Sequence, residues 1–431
     1  MTTFWQQFCR SVASRSSNRS PLEPYRAGFA LAGLLCLSLA ACGGSKQAGA
    51  PSQSGATISA PVTALAQLTL SPAAQLGEKI FSDPTLSASG RLSCASCHNP
   101  ATAHAPSNDL ATQLGGIDQR TGGTRAAPSL RYLAWTPGFL FGPSGLPTGG
   151  FDRDGRAATL AEQAQRPFLA AHEMANADAA AVVAHLRQSA YAETFRQVFG
   201  SAVLDDPAQA FARIGFALQQ YQKEDRDFAP FDAKYDQFLA GKVNLNPAEL
   251  RGLALFNNRA KGNCIACHPS TRSTSGAAPL FTDFSYDNLG VPRNRAIAAN
   301  ADAEYFDLGL CGPDRTDLSG RSDLCGKFKV PTLRNVATRK VFFHNGRFTS
   351  LREVISFYVR RDTNPEEWYP RNADGSINQF DDLPPAYRRN VNRSEVPYNR
   401  SPDMAPALSP SEIEDVIAFL GTLTDADQII R

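Results

Sequence analysis

The chain has 431 residues, 42% hydrophobic and 9% aromatic, which supports a buried core and excludes wholesale disorder. Charged residues reach 19%, and 43 Lys+Arg against 41 Asp+Glu leave a formal +2, without the clustered basic excess of a nucleic-acid binder. Nine cysteines are too sparse for a disulfide scaffold, and an odd number cannot all pair.

Residues 1–26 are polar and carry Arg10, Arg15, Arg19 and Arg26; the apolar run AGFALAGLLCLSLAA then fills 27–41. That run is shorter than the roughly 20 residues of a membrane span and suits a signal peptide, with an uncleaved anchor as the alternative. Leu39-Ala40-Ala41-Cys42 is similar to a bacterial lipobox, so residues 1–41 are expected to leave and Cys42 to carry a lipid anchor to the membrane. Gly43, in place of an aspartate, favours the outer over the inner membrane, and the compartment is the periplasm. Cys9 and Cys36 would leave with the signal, and the charge would fall to −1. Residues 42–62, rich in Gly, Ser, Ala and Gln, form a flexible tether.

Beyond it the pattern is mainly α. Ser71-Pro72 signals a helix start, and Cys94-Ala-Ser-Cys97-His98 follows. Asp178 opens AAAVVAHLRQ, and Asp206-Pro207 starts a helix with Phe211, Ile214, Leu218 and Tyr221 on one face. Asn246-Pro247 then begins a second copy of the first arrangement. Pro72-Ala73, Gly77 and Phe81 recur at the same spacing as Pro247-Ala248, Gly252 and Phe256, ahead of Cys264-Ile-Ala-Cys267-His268. Ser350-Leu-Arg-Glu353 and Ser409-Pro-Ser-Glu412 are capping boxes for two further amphipathic helices. Stretches 121–153, 270–349 and 362–410 are rich in Gly, Pro, Asn and Asp and read as long irregular loops. The expected architecture is two cytochrome-c-like domains, 63–240 and 241–431, connected by such loops.

CxxCH is the spacing of c-type haem attachment: two thiols reach one edge of the porphyrin and the adjacent imidazole turns back to the iron. Zinc ribbons place their cysteine pairs close together, whereas these lie 170 residues apart, and no βαβ context supports a thioredoxin-type site. Two covalent haem c groups are therefore expected, on Cys94, Cys97 and His98 and on Cys264, Cys267 and His268. Cys311 and Cys325 flank a Gly/Asp/Ser-rich loop; they pair in an oxidising compartment or stay as free thiols.

Asp154-Gly-Arg-Ala-Ala-Thr-Leu-Ala-Glu-Gln163-Ala, Pro167, Glu173-Met174, Lys327-Phe-Lys-Val-Pro-Thr-Leu-Arg-Asn335 and Phe343-His344-Asn-Gly346 follow in order. In these blocks the chain resembles the bacterial di-haem cytochrome c peroxidases and their relative MauG, over roughly residues 70–425. The resemblance implies a peroxidatic haem on His98, with Glu173 as distal acid–base and Gln163 as the pocket amide. The His268 haem would transfer electrons, with Tyr358, fourteen residues after the FHxG histidine, as sixth ligand; Met404 is the alternative ligand and a core role the bland reading of Tyr358. Asp118 stands where many members carry a histidine that closes the peroxidatic haem, which implies an open site. The tryptophan before DGRA is missing, Phe151-Asp152-Arg153 taking its place. Ala126 replaces the asparagine of the inter-haem calcium site, which weakens any such site. The implied activity is reduction of hydrogen peroxide to water, fed by a small redox protein such as a cytochrome c or cupredoxin, a homodimer being one possible assembly. Two alternatives stand beside it: a MauG-like oxidase using a bis-Fe(IV) state on a protein or small molecule, and a non-catalytic electron-transfer cytochrome.

Overall fold

The computed structural model describes residues 69–429, so the signal peptide, Cys9, Cys36, Cys42 and the tether lie outside the described residues. The chain divides into Met1–Ala64 and Leu65–Arg431, and the described residues all belong to the second unit. Among them no helix is long and apolar enough to cross a membrane.

The mainly α expectation holds. The described residues form eleven α-helices: α1 Pro72–Ser82, α2 Cys94–Cys97, α3 Leu160–Leu169, α4 Ala179–Gln188, α5 Ala192–Phe199, α6 Pro207–Glu224, α7 Lys234–Leu239, α8 Pro247–Asn257, α9 Leu351–Arg360, α10 Pro410–Gly421 and α11 Ala426–Ile429. Three two-stranded antiparallel ribbons accompany them: β1 Leu114–Gly115 with β2 Thr121–Gly122, β3 Leu140–Phe141 with β4 Pro147–Thr148, and β5 Tyr286–Asp287 with β6 Phe328–Lys329.

The starts follow local chemistry. Ser71 Oγ accepts from the Ala74 N–H at 3.2 Å with Pro72 opening α1, and Asp206 accepts from Ala208 and Gln209 ahead of α6. Reciprocal capping boxes open α8 (Asn246/Glu249), α9 (Ser350/Glu353) and α10 (Ser409/Glu412).

The repeat has a packing reason. At Gly77, α1 approaches α6 so closely that a β-carbon would lie 2.1 Å from the Ala217 carbonyl oxygen. At Gly252, α8 approaches α10 in the same way, with 1.9 Å to the Asp415 carbonyl oxygen. Each crossing buries its partner phenylalanine: Phe81 packs on Tyr221 and Phe228, and Phe256 on Phe419 and Phe281. One apolar cluster takes its residues from Leu76 to Phe228, a second from Tyr235 to Leu423.

The stretches 121–153, 270–349 and 362–409 hold no α-helix, yet they are fixed. Buried arginines satisfy carbonyls that helices or sheets would otherwise pair. Arg361, wholly buried, donates to the Leu289 and Asn392 carbonyls; Arg334 donates to Pro279 O and forms a two-pronged pair with Asp236. Arg293 holds the Asp302 and Tyr305 carbonyls, and Arg315 that of Asp154.

Cys311 and Cys325 form a disulfide, 14 residues apart in sequence. Cys325→Ser is expected to lower stability by about 3 kcal/mol on the chain-entropy model, measured by denaturant unfolding. An unchanged midpoint would mean that the loop's ion pairs alone hold it.

Candidate active site

Each CxxCH turn follows its glycine-bearing helix, and local bonds set its histidine. In α2 the His98 N–H donates to Cys94 O at 2.8 Å, and the His98 Nδ1 lies 3.3 Å from the His104 carbonyl. At the second site the His268 N–H donates to Cys264 O, and Nδ1 lies 2.7 Å from Phe281 O. Burial pushes His98 down to about 4 and lowers His268 as well, so both imidazoles are neutral. A neutral ring donating Nδ1–H to a carbonyl turns its Nε2 lone pair toward an iron.

The thiols agree with that role. Burial pushes Cys94, Cys264 and Cys267 up to about 12 and Cys97 to about 11. A thiol–disulfide catalyst needs a lowered thiol pKa, so redox exchange does not suit them. All four are unpaired, and among the described residues no three His, Cys, Asp or Glu side chains assemble into a metal site. Both donor sets fit covalent haem with an axial imidazole.

Glu173 sits in a tight turn after α3. Its N–H donates to Ala170 O at 2.9 Å, its carbonyl accepts from Gly116 N at 2.8 Å, and Met174 N–H donates to Pro167 O at 3.0 Å. Gly115 presses on this turn: a β-carbon there would lie 2.3 Å from His172 O. The Glu173 carboxylate acts electrostatically on both Cys94 and Cys97, so it lies in the neighbourhood of the first CxxCH. The residue keeps an exposed surface, although protein atoms crowd its carboxylate. Loss of hydration pushes it up to about 7, reinforced by Asp152 and Asp314 and opposed by Arg156. The carboxylate makes no hydrogen bond or ion pair among the described residues, so both oxygens are available.

Gln163, on α3, helps to lower the Asp152 pKa, so it lies beside the carboxylate that in turn acts on Glu173. Asp152 and Asp314 carry no motif of their own, and sequence reasoning missed both. Arg156 gathers them: it lies 3.4 Å from Asp152, 2.8 Å from Asp154 and 3.2 Å from Asp314. Asp314 arrives on the disulfide loop, a placement with no sequence signal. Asp118 accepts from the Arg120 N–H in the exposed turn between β1 and β2. His104 is a core residue, packed against Phe228 and Phe81, and its carbonyl orients His98.

The second site opens onto one large, mostly apolar cavity. Cys264, Cys267, His268 and Tyr358 line it, as do Tyr398 and Gln163. Tyr358, on α9, is partly buried, and loss of hydration, reinforced by the nearby Cys267 and Cys264, raises its pKa. Met404 is exposed and does not line the cavity, whereas Tyr358 does. Tyr398 is a second buried phenol on this wall, its rings 6.0 Å from those of Tyr358, and its position after a long loop hid it from periodicity arguments.

The calcium expectation fits poorly. Ala126 offers only its carbonyl, and Arg153 Nε and Nη2 already donate to it at 3.0 and 2.8 Å. A guanidinium at that oxygen repels a divalent cation.

Comparison with known proteins follows this geometry. A family model described as di-haem cytochrome c peroxidase matches residues 71–244. Methylamine utilization protein MauG of Paracoccus denitrificans is 36% identical over 362 residues, 82% of this chain and 88% of that protein. Cytochrome c551 peroxidase of Nitrosomonas europaea is 31% identical over 299 residues, 68% of this chain and 74% of that protein. The crystal structure of the diheme peroxidase BthA from Burkholderia thailandensis matches with a TM-score of 0.76 at 41% identity, covering 83% of this chain and 87% of that one.

Proposed function

The chain belongs to the family of di-haem cytochrome c peroxidases and MauG, and from that membership we propose that it reduces hydrogen peroxide at the His98 site with electrons relayed through the His268 site. One observation carries the reading: a carboxylate, Glu173, without a hydrogen bond or ion pair among the described residues, pushed up to about 7 and acting electrostatically on Cys94 and Cys97. Haem c held by those thiols and His98 Nε2 would supply the redox chemistry of O–O cleavage. The chain supplies the proton movement. Glu173 Oε takes the proton from one peroxide oxygen and returns it to the other, which leaves as water; with two electrons and two further protons, two waters result. Asp152 helps to hold that carboxyl's pKa near neutrality, and Gln163, beside Asp152, is the proposed pocket amide. Tyr358 would supply its phenolic oxygen to the second haem, where a phenolate would favour the ferric state.

A small redox protein, such as a cytochrome c or cupredoxin, is the proposed donor, supported by the relatives that are named as cytochrome c peroxidases. The proposed location is the periplasm, by a lipid anchor on Cys42. The identity to MauG supports a second reading, in which the same sites withdraw electrons from a protein or small-molecule substrate.

Electron paramagnetic resonance of the oxidised protein is expected to show one high-spin and one low-spin ferric haem. Two low-spin signals would reject the open His98 site and leave the carrier cytochrome. Tyr358→Phe is expected to change only the low-spin signal; an unchanged signal would remove Tyr358 from the iron.

A further inference from the structure

Three cations line the large cavity without a carboxylate in ion-pair contact among the described residues: Arg153, Lys329 and Arg339. Every other strongly buried guanidinium in this region is paired, Arg125 with Asp307 and Asp154 and Arg131 with Asp425. Arg153 donates only to Ala126 O, Lys329 Nζ only to Gly150 O, and Arg339 Nη2 to Ala127 O at 2.6 Å. Arg339 Nη1 is buried with no partner. Burial lowers all three, Arg153 to about 9, Lys329 to about 8 and Arg339 to about 10; Asp307 near Arg153 and Asp152 and Asp154 near Lys329 offset it only in part.

The three belong together. The Lys329 N–H donates to Arg153 O at 2.8 Å, and each of Arg339 and Lys329 interacts electrostatically with Arg153. Arg339 also acts on His98, so the cluster reaches from the first histidine to the wall of the second site. The Cys267 thiol feels acidic neighbours instead, Asp283, Asp287 and Glu395. A porphyrin attached through its vinyl edge carries its two carboxylates on another edge, away from the thiols. Three buried cations without a carboxylate in contact are costly unless anions meet them.

We propose that Arg153, Lys329 and Arg339 form a built-in cationic bridge that binds the haem carboxylates between the two sites, with Arg153 replacing a divalent ion there. The bridge rests on the two-haem reading and not on peroxide turnover. Losing a fixed positive charge stabilises the oxidised haem, so it lowers a midpoint potential.

The test uses the full haem-loaded protein, with haem content checked first. Dialysis against EGTA is expected to leave both midpoint potentials and the melting temperature unchanged. Arg153→Met and Lys329→Met are each expected to lower at least one potential, with no recovery on adding calcium chloride, whereas Arg153→Lys retains the wild-type values. A chelator-induced shift that calcium reverses would overturn the proposal, as would methionine variants with unchanged potentials. Where a methionine variant folds poorly, the chelator result on the wild-type protein decides. A wild-type protein that carries fewer than two haems would instead reject the reading beneath it.

Discussion

Glu173→Gln is expected to leave both haems attached and to reduce peroxide turnover by about 10²- to 10⁴-fold, the usual range for loss of a general acid–base group. The amide keeps the size of the carboxylate and cannot take a proton from peroxide. The pH profile supplies an independent check. The Glu173 pKa lies near 7, raised from the ordinary carboxylate range, chiefly because burial disfavours its charge. Above that value the side chain is the carboxylate that accepts the proton; below it the neutral acid predominates. Turnover should therefore fall about tenfold per pH unit on the acid side, with its midpoint near neutrality. Asp152→Asn removes a negative neighbour and should move that midpoint down. Full activity in Glu173→Gln, with the acid limb intact, would remove Glu173 from the chemistry.

The second large effect concerns the helix crossings. Gly252→Ala would set a methyl 1.9 Å from the Asp415 carbonyl oxygen and 2.8 Å from the Phe419 β-carbon. Backbone cannot step aside as a flexible side chain can, so α8 and α10 must separate. The expected cost is about 3 kcal/mol, the upper part of the range for overpacking, read from denaturant or thermal unfolding. The same separation moves the turn bearing Cys264 and Cys267, so haem loading at the second site should fall too. Gly421→Ala, at the end of α10 with open space around it, is the control and should change stability little. A stable Gly252→Ala protein would show that the crossing tolerates more room than its geometry allows.

Local chemistry was legible in the amino-acid order. A CxxCH turn is a five-residue device, and Ser71, Asn246, Ser350 and Ser409 each cap a helix within their own first turn. The repeat of Gly77 and Gly252 was visible as a spacing; that each glycine admits a crossing helix became apparent only with Ala217 and Asp415 in place. The ordered blocks around Gln163, Glu173 and Tyr358 pointed to the site through family resemblance, since an isolated glutamate or an apolar-face tyrosine carries no such signal.

What the sequence determined by itself was the mainly helical class, the two haem-attachment turns and the helix starts, because those depend on residues within a few positions of one another. Only the tertiary structure decided the environment of Glu173, which Asp152 and a disulfide-borne Asp314 create from separate loops. It alone placed Tyr358 beside Tyr398, ruled Met404 out of the cavity and turned long irregular stretches into a fixed wall. The physical reason is common to all of these: buried charge and unpaired carbonyls are satisfied by partners distant along the chain, such as Arg361 on Leu289 and Arg153 on Ala126. No local pattern encodes such partners, whereas desolvation makes each of them energetically necessary once the chain is folded.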